Sequence, residues 1–403
     1  MNMNEISTFP RVNVGEYVSF KTGKLNSNAA KLNGKYPFFT CSQETYLTDT
    51  YSFDTECVLL GGNNANGIYP IFYFTGKFDA YQRTYVIQSL DKTKLVNRYL
   101  FYALQLQLEI LRSISTGAAT KFLTLTILNT IEIPFPPLPT QQKVAAILSA
   151  YDDLIENNTR RIKILEEMAQ AIYREWFVNF RFPGHEGVRM GESELGPVPD
   201  GWDVVPFTDI ADILSGGTPK TTESLYWGGN IPFFAPKDAS GNFYIISTDS
   251  HITELGLKKC NSRLFPKDTV IITARGTVGK VIMPAIDMAM NQSCYALVGK
   301  DSHSQIFLFL LTRESTDYFK KNTGGATFET IVIDTFRKFK VIKPSKEIIR
   351  LFSEMEKPIF DMIENLLWKN ANLHLTRDLL LPKLISGEID VSELDIRIPE
   401  AEA

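Results

Sequence analysis

Residues 140–180 read TQQKVAAILSAYDDLIENNTRRIKILEEMAQAIYREWFVNF, with no proline or glycine inside. Thr140 follows Pro137 and Pro139 and stands as an N-cap, so the stretch predicts one helix of about 40 residues, roughly 55–60 Å long. A core helix of a compact domain rarely runs past ~20 residues. Ile147, Tyr151, Ile155, Asn158, Ile162, Leu165, Ala169, Ile172 and Trp176 recur at alternating spacings of four and three, the seam of a coiled coil, with Phe177 extending it. Asp152, Arg160, Arg161, Lys163, Glu166 and Glu167 fall outside the seam. Asn158 within it is the usual register-fixing device.

Ser345 to Ser386 repeats the pattern through Phe352, Met355, Ile359, Met362, Leu366, Leu373, Leu380 and Leu384, with a polar interruption at Lys369-Asn370. Pro358 is expected to start or kink this helix, because its ring cannot continue the i−4 hydrogen bond. Neither amphipathic helix can hide its seam alone, so the two are expected to pair. A domain lies between them and the repeat is direct, which makes the pairing antiparallel and fixes a distance between two globular heads. The alternative is that each helix packs back on its own domain.

The rest of the chain is also written twice. Asn33-Gly34-Lys35-Tyr36-Pro37-Phe38-Phe39 matches Gly228-Gly229-Asn230-Ile231-Pro232-Phe233-Phe234, and Cys57-Val58-Leu59-Leu60 matches Thr269-Val270-Ile271-Ile272. Ala80-Tyr81-Gln82-Arg83-Thr84-Tyr85 matches Met290-Asn291-Gln292-Ser293-Cys294-Tyr295, and Gly117-Ala118-Ala119-Thr120 matches Gly324-Gly325-Ala326-Thr327. Order is kept and the offset stays between about 195 and 212, which is a duplication of a domain-plus-helix unit rather than a solenoid. Short β-branched and aromatic runs, at 69–74, 85–87 and 269–273, read as strands, and 96–113 and 305–322 as helices. The expected architecture is therefore mixed α+β (α/β) domains in tandem with an antiparallel coiled coil and internal pseudo-twofold symmetry. Its segments are a first domain, 1–139; a helix, 140–182; a linker, 183–199; a second domain, 200–344; a helix, 345–386; and a tail, 387–403.

The 403 residues carry 42 basic and 46 acidic side chains, which excludes a strongly basic DNA-coating protein and an acidic disordered one. The acidic excess gathers in 346–403, leaving both heads faintly positive. No apolar run approaches the ~18 residues of a membrane span and Met1 to Pro10 has no signal-peptide pattern, so a cytoplasmic protein without membrane contact is expected. Cys41, Cys57, Cys260 and Cys294 lie far apart without metal-ligand spacing, and His185, His251, His303 and His374 are scattered. Neither a metal site nor a catalytic constellation is expected. Arg275-Gly276-Thr277-Val278-Gly279-Lys280 resembles a phosphate loop but lacks its first glycine, and Val281 stands where the magnesium-binding hydroxyl belongs.

That loop and its counterpart, Gly61-Gly62-Asn63-Asn64-Ala65-Asn66-Gly67, are nonetheless rich in groups that read base edges and phosphates. The candidate DNA-binding residues are Lys21, Lys24, Asn63, Asn64, Asn66, Gln82, Arg83 and Lys121 in the first half. Thr218, Lys220, Lys237, Arg275, Thr277, Lys280, Asn291, Gln292 and Thr327 are those of the second. At any one position the alternative is a solvated turn residue. Ile147, Tyr151, Ile155, Asn158, Ile162, Leu165, Ile172, Trp176, Phe177, Phe352, Ile359, Met362, Leu366, Leu373, Leu380 and Leu384 are the candidate coiled-coil or partner-subunit contacts.

Pro136-Pro137-Leu138-Pro139-Thr140-Gln141-Gln142-Lys143-Val144-Ala145-Ala146-Ile147-Leu148, the run 169–180 and the ending Leu379 to Ile389 together resemble the specificity subunit of a type I restriction-modification system. Leu214 to Lys220, Tyr226-Trp227-Gly228-Gly229 and Pro236-Lys237-Asp238 are similar to the opening of that family's target-recognition domain, and the resemblance spans essentially the whole chain. It departs at Lys21-Thr22-Gly23-Lys24-Leu25, where the second half has Ser215-Gly216-Gly217-Thr218-Pro219. The resemblance implies two target-recognition domains, each reading half of a bipartite double-stranded DNA site, and helices that set the gap. It also implies two modification subunits using S-adenosylmethionine for adenine N6-methylation, and restriction subunits using ATP and magnesium. This chain would then be non-catalytic and hold no cofactor itself. The competing reading is a standalone coiled-coil DNA-binding regulator or scaffold; a self-sufficient enzyme is disfavoured by the absent motifs.

Overall fold

Runs such as Cys57-Val58-Leu59-Leu60 and Val270-Ile271-Ile272 are apolar on both faces and become central strands, completely buried. The computed structural model describes residues 8–65, 67–117, 120–300, 304–323 and 330–398. They form two compact units, one of residues up to Ile155 together with those from Asn372 onward, the other Glu156–Ala371.

In the first unit a six-stranded sheet runs in the order Val18–Thr22, Thr84–Ser89, Phe53–Gly61, Ile71–Ala80, Tyr36–Phe39, Tyr46–Thr48. Its neighbours are antiparallel except where Phe38 and Phe39 pair parallel with Asp79 and Ala80. The second unit repeats this order with Ala211–Ser215, Cys294–Gly299, Val270–Thr273 and Val281–Pro284, and again Phe233 and Phe234 pair parallel with Ala289 and Met290. The matched Pro-Phe-Phe segments thus occupy the same register in both units. An added strand, Tyr244–Ile245, pairs with Val281–Pro284 and is peculiar to the second unit among the described residues. Each unit is closed by a ladder near its ends, Arg11–Asn13 on Glu132–Pro134 in one and Asp203–Pro206 on Lys340–Lys343 in the other.

The helices read at 96–113 and 305–322 are each broken in two, into Asn97–Gln105 and Leu108–Ile114, and into Gln305–Glu314 and Thr316–Lys321. Tyr99, Leu100, Tyr102, Ala103 and Leu104 pack on Val58, Leu60 and Ile87, and Phe307 to Leu310 pack on Val270 and Ile272.

The first long helix spans Leu138–Phe177, 40 residues, and the second Lys346–Ser386, 41 residues. Thr140 therefore lies inside the first turn rather than capping it, because Pro139, whose φ is preset, fits an N-terminal turn where no donor is needed. The helix stops at Phe177 and not Phe180, because Phe180 takes a left-handed conformation, φ 56°. Buried Gln141 fixes the start: Oε1 accepts from Val96 N at 3.1 Å, while Nε2 donates to Lys94 O and Pro136 O. The second helix starts at Lys346 and continues through Pro358, so Pro358 does not start it.

The helices pair antiparallel within each unit. In the first, Val144, Ala145 and Leu148 share a core with Leu381, Leu384 and Ile385, and Arg377 bridges to Asp152, which also accepts from the Tyr102 hydroxyl. In the second, Trp176 and Phe177 lie 5.6 and 4.8 Å from Phe352, while Asn158 donates to Asn370 Oδ1 at 2.9 Å. The seam asparagine is thus answered by the polar interruption of the other helix.

Two seam expectations fail. Met355 and Met362 are 39% and 43% exposed, and the buried stripe is instead Ile349, Phe352, Glu356, Phe360 and Ile363. Phe352 to Ile363 is eleven residues in three turns, the repeat of a nearly straight helix, so heptad spacing drifts off the buried face. Glu356 is completely buried and neither carboxylate oxygen has a hydrogen-bond partner among the described residues.

Candidate nucleic-acid interface

The ends of the first unit's central strands bring most of its candidate residues together. Gly23 N donates to Thr84 O at 3.3 Å and Gln82 N to Leu25 O at 2.9 Å, which sets the Lys21–Lys24 strand end beside the Gln82-Arg83 turn. Gly62 N donates to Arg83 O at 2.7 Å, and Asn63 and Asn64 pair with Phe122 and Lys121 in a short antiparallel ladder. The Arg83 guanidinium sits 5.3 Å over the Phe122 ring, an arrangement that holds a cation while leaving its edge exposed. Lys21, Lys24, Gln82 and Arg83 are exposed, whereas Asn63 Oδ1 is buried with no hydrogen-bond partner among the described residues. An unsatisfied buried acceptor of this kind costs about 1–3 kcal/mol.

In the second unit the same strand ends carry Thr218, Arg275, Thr277 and Gln292. Gly217 N donates to Met290 O at 3.1 Å and the Thr218 hydroxyl donates to Gln292 Oε1. Ala274 N and Arg275 N both donate to Ser293 O, which seats the Arg275–Lys280 loop against that turn. Arg275 and Thr277 are exposed. The backbone is too tightly placed for a side chain at Gly216, where a Cβ would lie 2.2 Å from Asn291 O.

Three candidates of this half make hydrogen bonds or ion pairs within the fold. Lys280 Nζ donates to Ala239 O at 2.9 Å and pins its own loop. Lys237 is paired with Asp249 at 2.9 Å, which raises its pKa. Asn291 Oδ1 accepts from Ser293 N at 3.0 Å, closing an Asx turn. Lys220 is exposed, and its carbonyl accepts from the Trp227 indole. Asn66 and Thr327 lie outside the described residues.

Arg112 and Lys320 carry no local sequence signal of a site. Both stand at these strand ends, against Gly67 and Gly279 respectively. The duplication itself is the signal that finds them, since the helix pairs carrying them match at one constant offset.

Among the described residues no group of three or more histidine, cysteine, aspartate or glutamate side chains could hold a metal, and no helix is long and apolar enough to cross a membrane. All four cysteines are unpaired, and burial pushes the thiol of Cys57 up to about 12.

Residues 8–167 and 199–376 match the family model described as the type I restriction modification DNA specificity domain. The chain is 30% identical over 312 residues to the type I restriction enzyme MjaIX specificity subunit of Methanocaldococcus jannaschii, covering 76% of this chain and 72% of that one. It is 26% identical over 325 residues to the HindI specificity subunit of Haemophilus influenzae, covering 66% and 71%. The crystal structure of the type I restriction-modification S subunit from M. genitalium shares the fold, with TM-score 0.63 over 96% of this chain and 98% of that chain at 17% identity.

Proposed function

The chain belongs to the type I restriction-modification DNA specificity family, and from that premise we propose that it directs partner subunits to a bipartite double-stranded DNA site. Residues 1–139 and 200–344 are the two target-recognition domains, each reading one half-site. The long helices set the number of unread base pairs between the halves. Two modification subunits dock on this chain and carry S-adenosylmethionine-dependent adenine N6-methylation; restriction subunits add ATP- and magnesium-dependent translocation and cleavage in the cytoplasm. This chain is the non-catalytic member.

The observation that carries the reading is the repeated order of four strands and the matching parallel pairing of the Pro-Phe-Phe segments, with exposed amide, hydroxyl and basic groups at the same strand ends in each copy. Such groups pair with base edges and phosphates in the grooves of duplex DNA. The test is methylation mapping in a host carrying the system, with either domain exchanged. A two-part motif whose halves change independently is expected, and one undivided motif would overturn the proposal. Inserting about four residues, one turn, in both helices is expected to lengthen the gap with the half-sites unchanged. Tight sequence-specific binding without any methyltransferase partner on co-purification would favour a standalone regulator.

A further inference from the structure

Gly67 and Gly279 occupy equivalent places in the duplication, each after a buried central strand, and both have left-handed φ, 68° and 83°. Each is covered by the stem of a basic side chain. A Cβ on Gly67 would lie 3.0 Å from Arg112 Cγ, and a Cβ on Gly279 would lie 3.0 Å from Lys320 Cε and 3.2 Å from its Cγ. Arg112 belongs to helix Leu108–Ile114 and Lys320 to helix Thr316–Lys321, each anchored by the preceding, fully buried residue, Leu111 or Phe319. The two heads are exposed, and neither makes a hydrogen bond or ion pair with a described residue. A long cation laid along glycine backbone buries its aliphatic stem and presents its charge to solvent in a restricted direction.

The loops beside these cations do not keep their charges between copies. Arg275 corresponds to Asn63, and Arg83 to Ser293, whereas Arg112 corresponds to a basic residue, Lys320. Groups that differ between two readers of different half-sites suit base recognition, and a cation common to both suits the element that every half-site shares, the phosphodiester backbone. We propose that Arg112 and Lys320 are equivalent phosphate contacts, one per domain, that position each domain on DNA without reading sequence. This rests on the specificity-subunit reading given above.

The test uses the full chain assembled with its modification subunits, bound to a labelled duplex carrying the mapped site and to a scrambled duplex, across a salt series. Arg112→Gln and Lys320→Gln, which keep most of the stem, are each expected to weaken binding about three- to tenfold on both duplexes. Each is also expected to reduce the slope of log affinity against log salt by about 0.9, and the methylated motif keeps its letters. Arg112→Lys and Lys320→Arg are expected to retain affinity and slope. Unchanged affinity and slope in both Gln variants would overturn the inference, as would a change in motif letters, which would make these residues base readers. A wild-type complex that binds neither duplex would overturn the specificity reading itself, a result distinguishable from the variants matching a binding-competent wild type.

Discussion

Glu356 gives the sharpest test of how the second unit holds its helices together. Its carboxyl lies in the buried stripe of the second long helix, completely inaccessible and with no hydrogen-bond partner among the described residues, and burial raises its pKa from 4.5 to about 8. Below about pH 4.5 both folded and unfolded chains hold the proton and the group is neutral in stability. Between that point and about pH 8 only the unfolded chain ionises, so stability falls by about 1.4 kcal/mol per pH unit, and above it the loss is constant. Replacing the acid by leucine removes the titration, and the gain of Glu356→Leu over wild type is expected to grow by about 4 kcal/mol between about pH 5 and pH 8. Glu356→Gln should flatten the pH dependence in the same way while keeping the cost of a buried amide, about 1–3 kcal/mol. Urea unfolding followed by tryptophan fluorescence isolates this unit, because all four tryptophans, Trp176, Trp202, Trp227 and Trp368, lie within it. A difference between Leu variant and wild type that is constant with pH would refute the reasoning.

Asn158→Ala removes the donor to the buried Asn370 Oδ1 and is expected to destabilise the second unit by about 1–2 kcal/mol in the same fluorescence assay. Arg377→Met leaves Asp152 mostly buried with the Tyr102 hydroxyl as its remaining hydrogen-bond partner among the described residues, for a loss of about 2 kcal/mol. Since the first unit holds no tryptophan, that loss is read as faster hydrogen exchange in 138–155 and 372–386. Arg275→Ala is expected to alter the methylated half-site assigned to the second domain and leave the other unchanged. Lys280→Ala, by contrast, removes the bond to Ala239 O and lowers the melting temperature without needing to change the motif. An altered motif in the half assigned to residues 1–139 would contradict the Arg275 assignment.

The elements legible in sequence were those whose signal is local or repeated. Helices of 40 and 41 residues follow from long proline- and glycine-poor amphipathic stretches, and the doubled sheet follows from ordered matches such as Pro37-Phe38-Phe39 with Pro232-Phe233-Phe234. Other features depend on which groups meet in space. Nothing local distinguishes Lys280, bound to a carbonyl, from Arg275, exposed on the same loop. Heptad counting likewise assigns Met362 to the seam, although Ile363 is the residue buried.

Periodicity and duplication therefore determined the two repeated units and their paired helices, because burying an apolar stripe is required of each segment whatever its partner. Tertiary structure alone decided that Asn158 answers Asn370, that Glu356 is entombed with no hydrogen-bond partner among the described residues, and that Arg112 and Lys320 lie over matched glycines. Those outcomes depend on contacts between residues distant along the chain, and the chemistry of a polar side chain changes with its burial and its neighbours.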